Sequence, residues 1–227
     1  MKKPIIMLDI DRTIYDGSIG EDFILNLSTQ GIIGPKIVAV LGLELIEYEI
    51  SLSSYSETVL KVLSTLEKEL KGKEVNKLKK DVKKFIESNH YKFYDYVYEI
   101  SKIFEKEYEV VLCSLEPEFL VSEIAKHLKI KHFICNTFNS NKVFLGDSKI
   151  TSSKKELFEK SIYKNHKIFA YFGDSENDYE MFELAENKFV INPTLSLINK
   201  INNDPRFINI NEKNAFQNFS KSIFKRS

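Results

Sequence analysis

Two acidic clusters in this chain each follow directly on a short apolar run: Asp9-Ile10-Asp11-Arg12-Thr13 and Gly173-Asp174-Ser175-Glu176-Asn177-Asp178. Charges at the edge of a core are costly unless they pair or hold a metal. Carboxylates with an open coordination sphere suit Mg²⁺, which takes oxygen ligands and retains waters and phosphate oxygens. Asp9 and Asp11, two apart, share one face if the strand continues, whereas a turn aims them separately. Gly173 lets the backbone pass close to a ligand, and Asp178 also stands where it would N-cap a helix beginning at Tyr179. Ser114 closes a third apolar run, where a hydroxyl and nearby N–H groups can hold a phosphate oxygen before a helix starting at Pro117. Lys154 opens a helical segment whose first-turn N–H groups also favour an anion. Singly, each has a plainer reading as a strand-ending acid, a turn serine or a surface lysine. Together they describe one anion and metal site.

The elements needed to position them can be read from the apolar pattern. Residues 5–10, 110–113, 132–135, 168–172 and 188–191 form near-continuous apolar strands, as expected of a parallel sheet covered on both faces. Helical segments at 117–128, 153–163 and 179–185 alternate with them, which predicts an open α/β sheet. In such sheets ligands bind beyond the carboxyl ends of the strands, where all four chemical positions fall. Residues 17–91 carry helical periodicity and no convincing strand. Val75, Leu78, Val82, Phe85 and Ile86 share one helical face. Ser54 and Glu57 form a capping-box pair for a helix ending near Gly72. An all-helical insertion of residues 17–91 into a core of residues 1–16 and 92–227 is therefore expected, with a small hairpin at 141–146.

The order of these positions resembles the haloacid dehalogenase superfamily of phosphohydrolases. Its four motifs are matched by Asp9-x-Asp11-x-Thr13, Ser114 after Val-Val-Leu-Cys, Lys154, and Gly173-Asp174-x-x-x-Asp178. A helical insertion directly after the first motif is similar to the cap of the phosphoserine-phosphatase-like branch. The resemblance implies a Rossmann-like parallel sheet with a helical cap, and a Mg²⁺-dependent phosphatase acting through an aspartyl phosphate. Asp9 would be the nucleophile and Asp11 the general acid and base. Thr13, Ser114 and Lys154 would bind phosphate, with Lys154 preferred to Lys155 from its spacing to Leu157 and Phe158. Asp9, Asp11, Asp174 and Asp178 would hold the metal. The branch has a Glu five residues beyond the motif Thr and a cap Arg that grips the substrate carboxylate. This chain has Ser18 there, with Glu21 nearby, and no Arg between Thr13 and Arg206. Lys lacks the bidentate fork of Arg, so phosphoserine is not the expected substrate.

Lys plus Arg equals Asp plus Glu at 33 each, so no net field recruits nucleic acid or an anionic membrane. A small phosphorylated metabolite is the expected partner. No run approaches the ~20 apolar residues of a membrane span, and the apolar start is broken by Asp9 and Asp11. Cys113 and Cys135 lie in apolar surroundings and suit free thiols in a reducing cytoplasm. The four histidines show no metal or triad spacing. Phosphotransfer to an alcohol and non-hydrolytic phosphate sensing remain the rival functions. A receiver-like signalling domain is disfavoured by the long insertion.

Overall fold

The computed structural model describes residues 2–49, 52–104 and 106–224. Its centre is a six-stranded sheet in the order β3-β2-β1-β4-β5-β6, every neighbouring pair parallel. The strands are β1 (Ile5–Leu8), β2 (Glu109–Pro117), β3 (His132–Asn136), β4 (Ile168–Gly173), β5 (Ala185–Ile191) and β6 (Phe207–Ile210). Strand alternation explains why β1 is apolar throughout. Ile6 and Leu8 enter one hydrophobic cluster, while Ile5 and Met7 enter another on the opposite face. Helices α5 (Asp95–Phe104), α6 (Glu118–Leu128) and α10 (Ala215–Phe224) cover the first face. Helices α7 (Lys154–Lys160), α8 (Tyr179–Leu184) and α9 (Leu195–Ile201) cover the second.

The five expected strands are present, and β6 is an addition. With only four residues and Asn209 in its middle, β6 carries no distinctive pattern and is recruited by pairing at the edge of β5. Strand β1 stops at Leu8, so Asp9 and Ile10 lie beyond it. The expected helix at 153–163 ends at Lys160, where Ser161 N–H bonds the Phe158 carbonyl and turns follow. Ala185 starts β5 instead of ending α8.

Between β1 and β2 the described chain forms α1 (Ile19–Thr29), α2 (Pro35–Glu49), α3 (Tyr55–Leu70) and α4 (Val75–Ser88). The Ser54–Glu57 capping box is formed, and Gly72 follows α3 at φ +80°, which glycine adopts readily. Leu78, Val82, Phe85 and Ile86 are buried as their spacing predicts. Phe23 of α1 meets Phe85 of α4 at 5.3 Å and Phe119 of α6 at 6.2 Å, so one apolar cluster joins insertion and core. Within residues 141–146 the expected hairpin is reduced to an isolated bridge between Ser140 and Phe144. The segment bonds instead to the α3–α4 turn, through Gly72 N–H to Phe144 O and Val75 N–H to Lys142 O. Local pairing here gives way to a tie between insertion and core.

Candidate active site

Strands β2, β1 and β4 are adjacent, so the loops leaving their carboxyl ends meet. After β1 the backbone turns sharply. Arg12 adopts φ +53°, an uncommon conformation for a residue with a side chain, and its N–H bonds the Gly17 carbonyl. This turn brings Asp9 and Asp11 to the same cavity although the strand has ended. Asp11 Oδ1 accepts the Ile19 N–H at 2.7 Å, at the positive end of α1. Thr13 is fully buried, and its hydroxyl donates to Asp9 Oδ2 at 3.3 Å. Tyr96 in turn donates to the Thr13 carbonyl at 2.7 Å.

Lys154 arrives from the connection between β3 and β4. Ser153 caps its helix by accepting the Glu156 N–H. Asn136 anchors the approach, donating to the carbonyls of Leu115 and Thr151 and accepting the Thr151 N–H. The Lys154 ammonium then lies 2.5 Å from Asp9 Oδ1 and 2.6 Å from Asp178 Oδ1. Lys155 pairs outside with Glu180 and does not line the cavity.

Asp178 does not cap the helix that follows it. Its Oδ1 accepts from Lys154 and from Tyr171 Oη at 2.6 Å, and its Oδ2 faces the N–H groups of Asp174 and Ser175 and the Ser175 hydroxyl. Gly173 makes this possible: a Cβ there would lie 2.7 Å from the Asp178 carboxyl carbon. Ser114 sits inside β2, its Oγ accepting the Glu116 N–H at 3.1 Å.

Carboxylate oxygens of Asp9, Asp174 and Asp178 lie within 4.8 Å of one another, all buried. Burial pushes Asp174 up to about 8, with Asp178 and Asp9 adding to it. Burial likewise lifts Asp9 to about 7 against the pull of Lys154, and Asp11 to about 6. For Lys154, burial favours the neutral amine, but Asp178 and Asp9 outweigh it and hold the ammonium charged. One ammonium among several carboxylates leaves excess negative charge, which fits a hard divalent cation.

Asp9, Asp11, Ser114, Lys154 and Asp174 line one cavity of about 500 Å³, while Thr13 and Asp178 stand behind it and hold the lining residues. Sequence reasoning did not single out Tyr171, Tyr96 or Asn136, whose hydroxyls and amide fix these residues from within apolar strands and helices. It also passed over Tyr55 and Glu116, which line the cavity.

The sequence profile of the haloacid dehalogenase-like hydrolases matches residues 6–183. The chain belongs to this family. The match spans Asp9, Asp11, Ser114, Lys154, Asp174 and Asp178. No curated protein sequence matches the chain significantly. Among solved structures it is similar to a protein of unknown function from Bordetella pertussis Tohama I, with a TM-score of 0.75 at 13% identity, over 93% of this chain and 100% of that one. It is also similar to a substrate-bound phosphoserine phosphatase complex, at TM-score 0.65 and 18% identity over 98% and 99% of the two chains. Cytosolic 5′-nucleotidase IIIB bound to cytidine gives 0.63 and 11%, over 92% and 80%. At these identities the likeness is one of fold. No described helix is long and apolar enough to cross a membrane.

Proposed function

We propose that this hydrolase is a phosphatase that cleaves a small phosphate monoester through an aspartyl phosphate on Asp9, with Mg²⁺ as its metal. The reading rests on one observation: Asp9 and Asp11 open into the same cavity with Lys154 between Asp9 and Asp178. Similarity to structures of phosphoserine phosphatase, including a phospho-aspartyl intermediate analogue, supports it. Residues 17–91 would act as the cap over a core of residues 1–16 and 92–227.

Asp9 attacks phosphorus as the ester P–O bond breaks, and Asp11 gives its proton to the leaving oxygen. Water then attacks the aspartyl phosphate, releasing Asp9 and returning a proton to Asp11. Lys154 and Ser114 stabilise the transferring oxygens. Thr13 holds Asp9 through its hydroxyl. Asp9, Asp174 and the Asp11 carbonyl would hold the metal, with Asp178 contributing through its grip on the Asp174 loop and on Lys154. Mg²⁺ there supplies charge that lets an anionic carboxylate approach an anionic phosphate. The free thiols Cys113 and Cys135 fit a cytoplasmic setting.

Asp11 carries the choice of hydrolysis over mere phosphate sensing, since binding needs no proton donor. Phosphate release from phenyl phosphate with Mg²⁺ tests the reading: Asp9→Asn should lose at least about ten-thousandfold in kcat. Wild type that binds phosphate tightly without turnover would overturn it.

A further inference from the structure

We infer that the natural ester carries an elongated apolar alcohol, so that this site, read as a phosphatase, acts on an amphiphile and not on a phospho-amino acid or sugar phosphate. None of the charged residues lining the cavity of about 500 Å³ lies on α2 or α3. That volume lies within the ~300–1,000 Å³ typical of sites for drug-sized ligands, far more than a phosphate and a three-carbon alcohol need.

The remaining walls come from helical faces. Val38, Leu41 and Leu45 of α2 lie at i, i+3, i+7 spacing, and Val59, Val62 and Leu66 of α3 repeat the pattern with Leu63 beside them. Among the α2 and α3 residues at the wall, the polar side chains are Tyr55 and Thr58, both on the first turn of α3. The Thr58 hydroxyl already shares a hydrogen bond with Ser53 at 2.8 Å. A sugar's hydroxyls would be stripped of water along this stretch without partners. Among the described residues, the cations at the wall are Lys154, held by two carboxylates, and Arg12, close enough to Asp11 and Asp174 to offset a little of the rise that burial gives them. Neither lies on α2 or α3. Glu21 also lines the cavity and opposes a substrate carboxylate, while burial, with Asp11 and Glu21 adding to it, raises the Glu116 carboxyl well above the ordinary range, so that it keeps its proton and adds no charge. Leu25, 53% exposed, also lines the cavity, so its opening is apolar in part. Protein interiors pack at ~0.75 density, and a space this large is not a packing remnant.

The test is a series of n-alkyl phosphates from ethyl to decyl, each below its critical micelle concentration, with Mg²⁺. For wild type, kcat/KM should rise roughly fourfold per methylene until the cavity fills. Phosphoserine and glucose 6-phosphate should trail octyl phosphate by at least about a hundredfold. Calorimetric binding of the same series to Asp9→Asn should show the same trend in Kd. Turnover without a chain-length slope, or with phosphoserine ahead, defeats the apolar-alcohol inference and leaves the phosphatase reading intact. A slope in Kd with no wild-type turnover of any ester defeats hydrolysis and leaves the apolar ligand. Replacing Leu41 and Leu63 together by Gln should flatten the slope, with circular dichroism confirming the fold.

Discussion

The floor and the roof of the cavity are built on opposite principles. The floor is polar, buried and over-determined: Lys154 has two carboxylate partners, and both oxygens of Asp178 are engaged. Asp9, Asp11 and Asp174 lie just beyond the central strands β1 and β4, Ser114 lies inside β2 and Lys154 opens α7, so each position is set by hydrogen-bonded neighbours. The roof is apolar and made of helical faces. Behind it, α4 is packed into the core with Phe23 and Phe119 and lines none of the cavity, whereas α2 and α3 bring the buried Leu41 and Leu63 to the cavity wall. Chemistry demands fixed atoms, and recognition of an apolar group demands only a surface of the right size. On the proposed reading, the difference means that changes at the α2 and α3 wall should alter specificity without touching reactivity.

The comparison breaks most readily at the floor. Lys154→Met leaves Asp9 and Asp178 facing each other in a buried site, and kcat should fall about 10²–10³-fold. An unchanged rate would mean that the metal alone carries the phosphoryl charge. Within the helices between β1 and β2, Phe85→Ala should cost about 3–5 kcal/mol in urea unfolding, because it empties a packed position. Leu41→Ala, trimming a side chain that lines the cavity, should cost about 1 kcal/mol or less. Equal losses would show the packed and the cavity-lining positions to be alike.

A third measurement compares floor with roof through pH. Asp9, Asp11 and Asp174 have folded values raised to about 7, 6 and 8, above those of an unfolded chain. Their contribution is fully present below about pH 4 and is lost as pH rises through 6 to 8, so Tm without metal should decline over that window. Mg²⁺ at a hundred times its Kd should restore about 2.7 kcal/mol, roughly 5–10 °C, at pH 8 and less at pH 5. A gain that grows toward acid would refute a carboxylate metal site. The smallest effect is expected for Gly173→Ala. Its methyl group would press on Asp178 and loosen Lys154, lowering kcat about tenfold while stability changes little.

Asp9, Asp11 and Asp174 were legible in the sequence because they follow directly on apolar strands, where a charge is costly unless it pairs or binds, Ser114 because it closes an apolar run, and Lys154 from its place at the start of a helix. Its supporting hydroxyls were not. Tyr171 and Tyr96 sit in runs that any buried aromatic would satisfy, and only the fold shows where their oxygens point. The helical insertion was readable as helices, but a 3.6-residue apolar period says that a face avoids water, not whether it meets side chains or a cavity. The α4 face and the α3 face look alike on that measure, yet the first is packed and the second lines the pocket. Strand β6 was not legible because four residues with a central Asn carry too little pattern.

The central place of β1 has a consequence for how the chain is made. Its four apolar residues leave the ribosome well before their partners Glu109 to Leu112 and Ile168 to Phe172, which lie about 100 and 160 residues downstream. At ~5–20 residues per second, the nascent segment waits on the order of ten to thirty seconds for β4. Until then Asp9 has no Lys154 beside it and the sheet has no middle, so newly synthesised chains should depend on a holding chaperone more than the stability of the finished fold would suggest.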